Sequence, residues 1–416
     1  MASSGPLYCG GVPGEPTRRA VVLATVTPLA SIFGSGFLII IPILEREMGS
    51  LAAVGMAAVC LLAWTVGIAI RHNIATIEPL VRDGRLDRTT ALIERTSDQV
   101  IVVAYLISVA LYARILAQFV VGYVSTGSGN AESLLGMSVI ALITLVGLVR
   151  GLSGLEGLER VSLGAVLLLV FAISATFAGK DVSQLERGGL HIPPVPHNSL
   201  VSVLLVLGGM LITVQGFETV RYQQQIDRRA RIAGCRLSQL VSSLVYVLLV
   251  VLATPLMGLG TASGADANLL DLVKRVAPML ALPLVLCAVL SQFSAATADT
   301  EAGVGNLRGV HWAPFNGRLP YALVGAVSAF LTATLATNVI IVVASRAFAA
   351  YYALQCVSAL RTSDRLRARV GYGALSIVML AIAALHTLVR RDTRLSMTHQ
   401  ATLTRDRVPI ISDVAG

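Results

Sequence analysis

Two glycine-bearing stretches interrupt apolar runs in which a helix would otherwise be secure. One is Gly34-Ser35-Gly36 within "SIFGSGF", Ser31 to Phe37; the other is "LVLGGMLITVQGFETVRYQ", with Gly208-Gly209 and then Gln215, Gly216 and Glu218. Glycine inside a helix costs about 1 kcal/mol relative to alanine. Each stretch is therefore either a tight packing point or a place where the helix opens. An opened helix does chemistry with its backbone: N–H groups at the start of the second half attract negative charge, and freed carbonyls attract positive charge. On that reading Ser31, Gly34, Ser35, Gly36 and Phe37 receive a carboxylate. Val214, Gln215 and Gly216 take an ammonium group through their carbonyls, and Phe217 shields it. Glu218 puts a carboxylate near the end of the apolar run, which is expensive in lipid and calls for a cavity or a partner. A structural ion pair with a nearby arginine is its other reading.

Further polar groups lie deep in apolar context. Arg114 and Gln118 are four apart and share a helix face, and Arg346 stands beside Ser345. They are candidate gate residues or anion partners, or structural partners of Glu218. Ser291, Ser294 and Thr297 recur every three residues on one face, followed by Asp299. These four are candidates for ion coupling, although hydroxyls in membrane helices also bond to carbonyls of their own helix or of a neighbouring one. Asp299 could titrate if buried, or be solvated at a helix end. The six histidines lie mostly in loops or at span ends, with no HExxH, DDxxD or GxSxG, so intramembrane enzymology is disfavoured. Five cysteines without CxxC spacing argue against a disulfide framework or a metal site. No cofactor is expected, and no ATP-binding motif is seen, which leaves an ion gradient or exchange for uphill work.

The elements that must position these residues are membrane helices. The chain has 416 residues, 55% hydrophobic and 13% charged, against about 25% charged in a soluble domain. The expected fold is an all-α polytopic membrane protein of about eleven spans. These are residues 21–44, 49–70, 98–124, 134–149, 158–178, 200–220, 238–257, 276–298, 319–336, 339–360 and 370–389. Residues 1–20 form an N-terminal segment, 21–389 a single transmembrane domain and 390–416 a polar tail.

Arginines cluster before the first span and after the second, sixth and tenth, while the turns after the third and ninth carry none. The positive-inside rule then places the N-terminus in the cytoplasm. Five arginines from Arg390 onward fit an outside tail less well, so that side stays open. The net charge of +9 is accounted for by this pattern, which points to the bilayer as partner and away from nucleic acid. Few lysines and abundant alanine, arginine and glycine fit a bacterial inner membrane.

The two interrupted spans are the first and the sixth. Five spans between corresponding segments is the arithmetic of an inverted repeat, in which paired discontinuous helices form a site near the midplane. Here repeat one covers about 21–178, repeat two about 200–360, and an extra helix 370–389. "SIFGSGFLIIIPIL" resembles the first helix of the amino acid–polyamine–organocation (APC) transporter superfamily, and "QGFETV" its sixth-helix break. "LSQLVSSLVYVLLVVLATPLM" is similar to that family's seventh helix. "QQQIDRRAR" stands where the family carries an acidic pair and Asn-Pro, and the metal-transporting branch's Asp-Pro-Gly-Asn and Met-Pro-His are missing.

The resemblance implies discontinuous helices one and six and substrate binding at the glycine breaks. It also implies that helices three and ten flank the site, which brings in Arg114, Gln118 and Arg346. Sodium-using members take hydroxyls from helix eight and carbonyls from helix one, here Ser291, Ser294 and Thr297. Some proton-coupled members use a lysine on helix five, and the fifth span, 158–178, contains none. Na+ and H+ both stay open. The expected function is a secondary transporter of an amino acid or related small organic solute. The alternative is a channel, sensor or scaffold retaining the fold; oligomeric state is not legible.

Overall fold

In the computed structural model the described residues are 16–124, 129–152, 156–257, 269–309 and 313–384. They fold as helices, with no strand among them. In chain order these are α1 (Arg18–Met48), α2 (Ala52–Arg82), α3 (Arg88–Val124), α4 (Gly129–Arg150), α5 (Glu156–Glu186) and α6 (Leu200–Gly209). After α6 come two short 3-10 turns, Met210–Thr213 and Phe217–Arg221. The chain continues with α7 (Arg228–Ala253), α8 (Leu269–Val276), α9 (Ala281–Gly309), α10 (Leu319–Thr334), α11 (Thr337–Thr362) and α12 (Leu366–Ala384). Each of the eleven expected spans falls on one of these helices, the sixth on α6 and its turns. Cys9, the N-terminal fifteen residues and the tail from 385 onward, with its arginines, lie outside the described residues.

α3 is the axis of the bundle. Most of its apolar length is buried, 83%, against 11% for α12 at the lipid-facing edge. α3 packs along α9 and α11, α1 along α7, α2 along α7, and α4 along α10. The pairs α2·α7, α3·α9 and α4·α10 are those that a two-fold axis relating the two halves would map onto themselves.

Two features depart from the sequence reading. The basic stretch 71–97, which the expected spans 49–70 and 98–124 leave outside, is mostly helix: α2 runs to Arg82 and α3 starts at Arg88. Its polar residues find partners across the bundle, so the helices continue past the apolar spans. Asn73 donates to the Gln355 carbonyl at 2.8 Å, and Glu94 pairs with Arg221 at 2.6 Å. Arg231 pairs with Glu78 at 2.5 Å. The second is α8, which the reading did not include. Its apolar residues Leu269, Leu272, Val273 and Val276 recur at helical spacing and are buried.

Asp87 starts α3. Its carboxylate accepts from the Thr90 backbone N–H at 3.1 Å and pairs with Arg361 at 3.0 Å. The Thr90 hydroxyl and N–H, with Arg361, hold this carboxyl down at about 2, below the ordinary 3.8. A depressed carboxyl stabilises the fold above its ordinary value, and that contribution fades as pH falls toward about 2. Asp87→Ala is therefore expected to lower the melting temperature slightly at neutral pH and to flatten the wild-type decline between pH 4 and 2. Thermal unfolding of the purified protein across that range checks it.

Candidate functional site

The sixth span is broken. α6 ends at Gly209, a 3-10 turn runs to Thr213, and Val214-Gln215-Gly216 leave helical geometry before the turn at Phe217. Gly216 has φ +122°, a conformation that favours glycine. A Cβ there would also sit 2.7 Å from the Ser31 Cβ and 2.8 Å from the Ile32 nitrogen. Loose backbone groups at the break are taken up by side chains. The Gly216 N–H donates to Glu218 Oε2 at 2.8 Å, and Ser345 of α11 donates to the Gly209 carbonyl. Gln215 donates from Nε2 to the Tyr112 hydroxyl at 3.0 Å.

The first span differs from the expected break. α1 is one helix through Gly34-Ser35-Gly36. Its glycines serve close approach instead: a Cβ on Gly36 would run into the Thr213 carbonyl and the Tyr246 hydroxyl, and one on Gly34 would sit 3.0 Å from Ala295 Cβ. The turn is nonetheless held from outside. Tyr246 of α7 donates to the Ile32 carbonyl at 2.7 Å and lies against the Phe37 backbone. Gln292 of α9 donates from Nε2 to the Gly34 carbonyl. Two carbonyls of one helical turn are thus bonded by side chains of other helices, which is how a helix is tapped without being severed. No free helix N-terminus stands at Gly34–Gly36 in this arrangement, so the expected carboxylate cradle is not formed there. Ser31 and Phe37 lie on α1, Phe37 fully buried; the side chain of Ser35 lies outside the described residues.

Around the break lies an acidic, acceptor-rich centre. Glu218 is fully buried and accepts from the Tyr352 hydroxyl at 2.8 Å, while its Oε1 has no partner. The Oε1 atoms of Gln215 and Gln292 are also buried and unpartnered. Phe217 stacks on Tyr352 with ring centroids 5.4 Å apart, closing one side. Asp299, buried on α9, accepts from Ser108 of α3. Ser291 donates to the Ala288 carbonyl and Thr297 to the Ser294 carbonyl, both on their own helix; Ser294 is buried beside them.

The arginines do not pair with Glu218. Arg114 donates to Ser133 on α4, to the Thr332 carbonyl and to Thr337, each of the last two at 3.4 Å. Those partners end α10 and begin α4 and α11, so Arg114 ties helix ends together, away from the acidic centre. Gln118, one turn on, and Arg346 on α11 are only partly buried. A cavity of about 370 Å³ on the flank of α5 and α9 is lined by apolar groups such as Leu168, Leu286 and Cys287, as a lipid-facing surface would be.

Sequence reasoning missed Tyr112, Tyr246, Gln292 and Tyr352. Tyr105, Ser108 and Tyr112 do carry a signal, since their spacing puts three hydroxyls on one face of α3. Gln292, an amide in an apolar span, is as conspicuous as the hydroxyls beside it.

A family model described as an APC superfamily transporter matches residues 15–386. A relative from Aquifex aeolicus (strain VF5), named only "Uncharacterized protein", is 31% identical over 359 residues, 84% of this chain and 87% of its own.

The contacts at the break set a test of the site's construction. Gly216→Ala combines a strained φ with a steric conflict and is expected to cost at least about 2 kcal/mol. Tyr246→Phe leaves the Ile32 carbonyl without its side-chain donor and is expected to cost about 1–2 kcal/mol. Unfolding in mixed micelles measures both. Hydrogen exchange at residues 33–37 is expected to quicken in Tyr246→Phe.

Proposed function

This chain belongs to the APC superfamily of transporters, and we propose that it moves an amino acid or related small organic solute across the membrane by alternating access. The observation that carries this reading is a set of buried acceptors without donors: Gln215 Oε1 and Glu218 Oε1 at the broken sixth helix, and Gln292 Oε1 on α9 beside the α1 glycines. Buried acceptors without a partner are costly, and an ammonium group supplies the donors they lack. Val214, Gln215 and Gly216 leave helical geometry beside these acceptors, and Phe217 stacks on Tyr352 next to them. The glycine face of α1 closes the other side, where Gly36 leaves just enough room for the Thr213 carbonyl and the Tyr246 hydroxyl.

Transport in this reading is by symport or exchange. Residues 21–178 and 200–360 act as the two inverted repeats. One end of the bundle is closed by ion pairs: Glu94 with Arg221, Glu78 with Arg231, and Asp87 with Arg361. The arginine-rich connections at this end support its assignment to the cytoplasm, with the N-terminus on the same side of a bacterial inner membrane. Arg114 holds the opposite end rather than an anionic substrate group.

Uptake by the reconstituted full-length protein tests the proposal. Labelled amino acids and simple amines, offered singly to proteoliposomes, are expected to yield at least one saturable substrate. Glu218→Gln removes the charge from the acceptor and is expected to weaken that substrate's apparent affinity about tenfold or more. Absence of saturable uptake across the panel, by folded protein, would overturn the solute class.

A further inference from the structure

Arg71 is a buried cation without an anion. It lies on α2 at 6% exposure, one residue past the expected second span. Among the described residues no carboxylate pairs with it. Its Nη1 donates to Gln239 Oε1 of α7 at 2.5 Å and to the Cys235 sulfur at 3.6 Å. Gln239 is held in turn by the Ala63 carbonyl at 2.8 Å, and the guanidinium carbon lies 4.7 Å from the Trp64 ring centroid. These contacts fix the guanidinium without neutralising it. Nε and Nη2 take no acceptor among the described residues, yet neither is sealed off from the surface. An arginine held in this way at the edge of an apolar span calls for an anion from outside the chain.

Its place on α2 says where that anion comes from. Leu61 and Ile68, seven apart, face outward, whereas Gly67 faces α7, where Gln239 leaves no room for a Cβ. Helical spacing puts Trp64 and Arg71 between those two faces, along the seam where α2 packs on α7. Across the seam Leu240 and Leu244 of α7 are exposed, and Arg236, one turn before Leu240, ends their stripe. The charges of Arg71 and Arg236 both reach the Cys235 sulfur. Arg228 lies over the seam with its Nη1 3.5 Å from the Ala75 carbonyl, one turn beyond Arg71. Neither Arg236 nor Arg228 has a carboxylate partner among the described residues. Of the acids at this end, Glu78 is spent on Arg231, and Asp227 on the N–H groups that start α7. The outward apolar stripes of two packed helices thus end in guanidinium groups.

We propose that the α2–α7 seam at Arg71, Arg236 and Arg228 binds the phosphate of an anionic phospholipid, in the leaflet at the arginine-rich end of the bundle. Arg71 offers the phosphate a planar pair of donors, Nε and Nη2, and its Gln239 and Trp64 contacts set their direction. Arg236 and Arg228 add charge, and the acyl chains lie along the exposed stripes of α2 and α7. A headgroup of net negative charge is preferred, because a zwitterionic one brings an ammonium to a place that already holds three cations. The site is independent of the solute reading above and stands if that reading falls.

Trp64 supplies the probe. It lies about 10 Å along α2 from Arg71, toward the acyl chains, and the chain has one other tryptophan, Trp312. The full-length Trp312→Phe protein is reconstituted into phosphatidylcholine vesicles and its fluorescence quenched by lipids brominated on their acyl chains. Brominated phosphatidylglycerol is expected to bind beside Trp64 at least about fivefold more strongly than brominated phosphatidylcholine. Arg71→Gln is expected to bring that ratio close to one. The double variant Arg228→Gln/Arg236→Gln changes exposed positions only, so it decides the matter even where Arg71→Gln does not fold; it is expected to lower the ratio severalfold. Equal quenching by the two lipids in the parent protein, or an undiminished ratio in either folded variant, overturns the proposal. Inorganic phosphate, added at matched ionic strength, is expected to leave the ratio unchanged. Its loss on that addition assigns the site to a soluble anion and overturns the lipid.

Discussion

Inside a bilayer no water satisfies a backbone group that leaves its helix, so every break must be repaired by protein or filled by a ligand. The gap at Val214-Gln215-Gly216 sets that problem here, and much of the bundle's interior answers it. Glu218 turns back to its own Gly216 N–H, Tyr352 supports Glu218, and Ser345 takes the Gly209 carbonyl. What is left over leans to one side. Among the described residues the buried atoms without a partner near the break include the Oε1 atoms of Gln215, Glu218 and Gln292, which accept, and the Tyr105 hydroxyl, which can also donate.

The same constraint explains which parts were legible in the sequence. Spans are legible because about twenty apolar residues have few other uses, and all eleven fell on helices. The sixth-helix break was legible because Gln215 and Glu218 flank its glycine, and polar groups at that depth demand a reason. The first-helix glycines were not decidable, because Gly-Ser-Gly serves an opened turn and a close packing contact equally well. What decides between them lies far away in the chain: Tyr246 meets Ile32 across 214 residues and Gln292 meets Gly34 across 258. Pairing Arg114 with Glu218 failed for a related reason. An arginine's depth in its own helix does not tell which neighbouring helix ends there, and α4, α10 and α11 supply ends enough to satisfy it.

An intact α1 held by side chains is also a mechanical statement. Hydrogen bonds within a helix are local and cooperative, whereas bonds from Tyr246 and Gln292 join α1 to α7 and α9. A movement of α1 relative to α9 therefore breaks the Gln292 contact while it can carry Tyr246 along, since α1 packs closely on α7. The glycine face makes such movement cheap: no side chain on Gly34 or Gly36 has to pass a neighbour. By contrast Gly216 is held by its φ and by the close approach of Ser31, so the two helices touch most tightly there.

Charge is segregated along the same axis. Three arginines of the rim, Arg221, Arg231 and Arg361, pair with Glu94, Glu78 and Asp87, and Arg114 is spent on helix ends. Among the described residues neither Glu218 nor Asp299 takes part in one of the ion pairs, so the net charge of +9 misdescribes the buried centre. Under the proposed function, a zwitterionic solute entering this centre would find acceptors for its ammonium but, among the ion pairs of the described residues, no cation left for its carboxylate. The groups that could receive the carboxylate are backbone N–H groups of α1, and α1 keeps them inside its helix here. Binding both ends of such a solute thus requires α1 to yield at Gly34–Gly36, which would tie solute capture to release of the Gln292 contact. If the proposed solute transport holds, the glycines that pack so closely in the present arrangement are also those that would open, which would make the two readings of Gly-Ser-Gly two stages of one cycle.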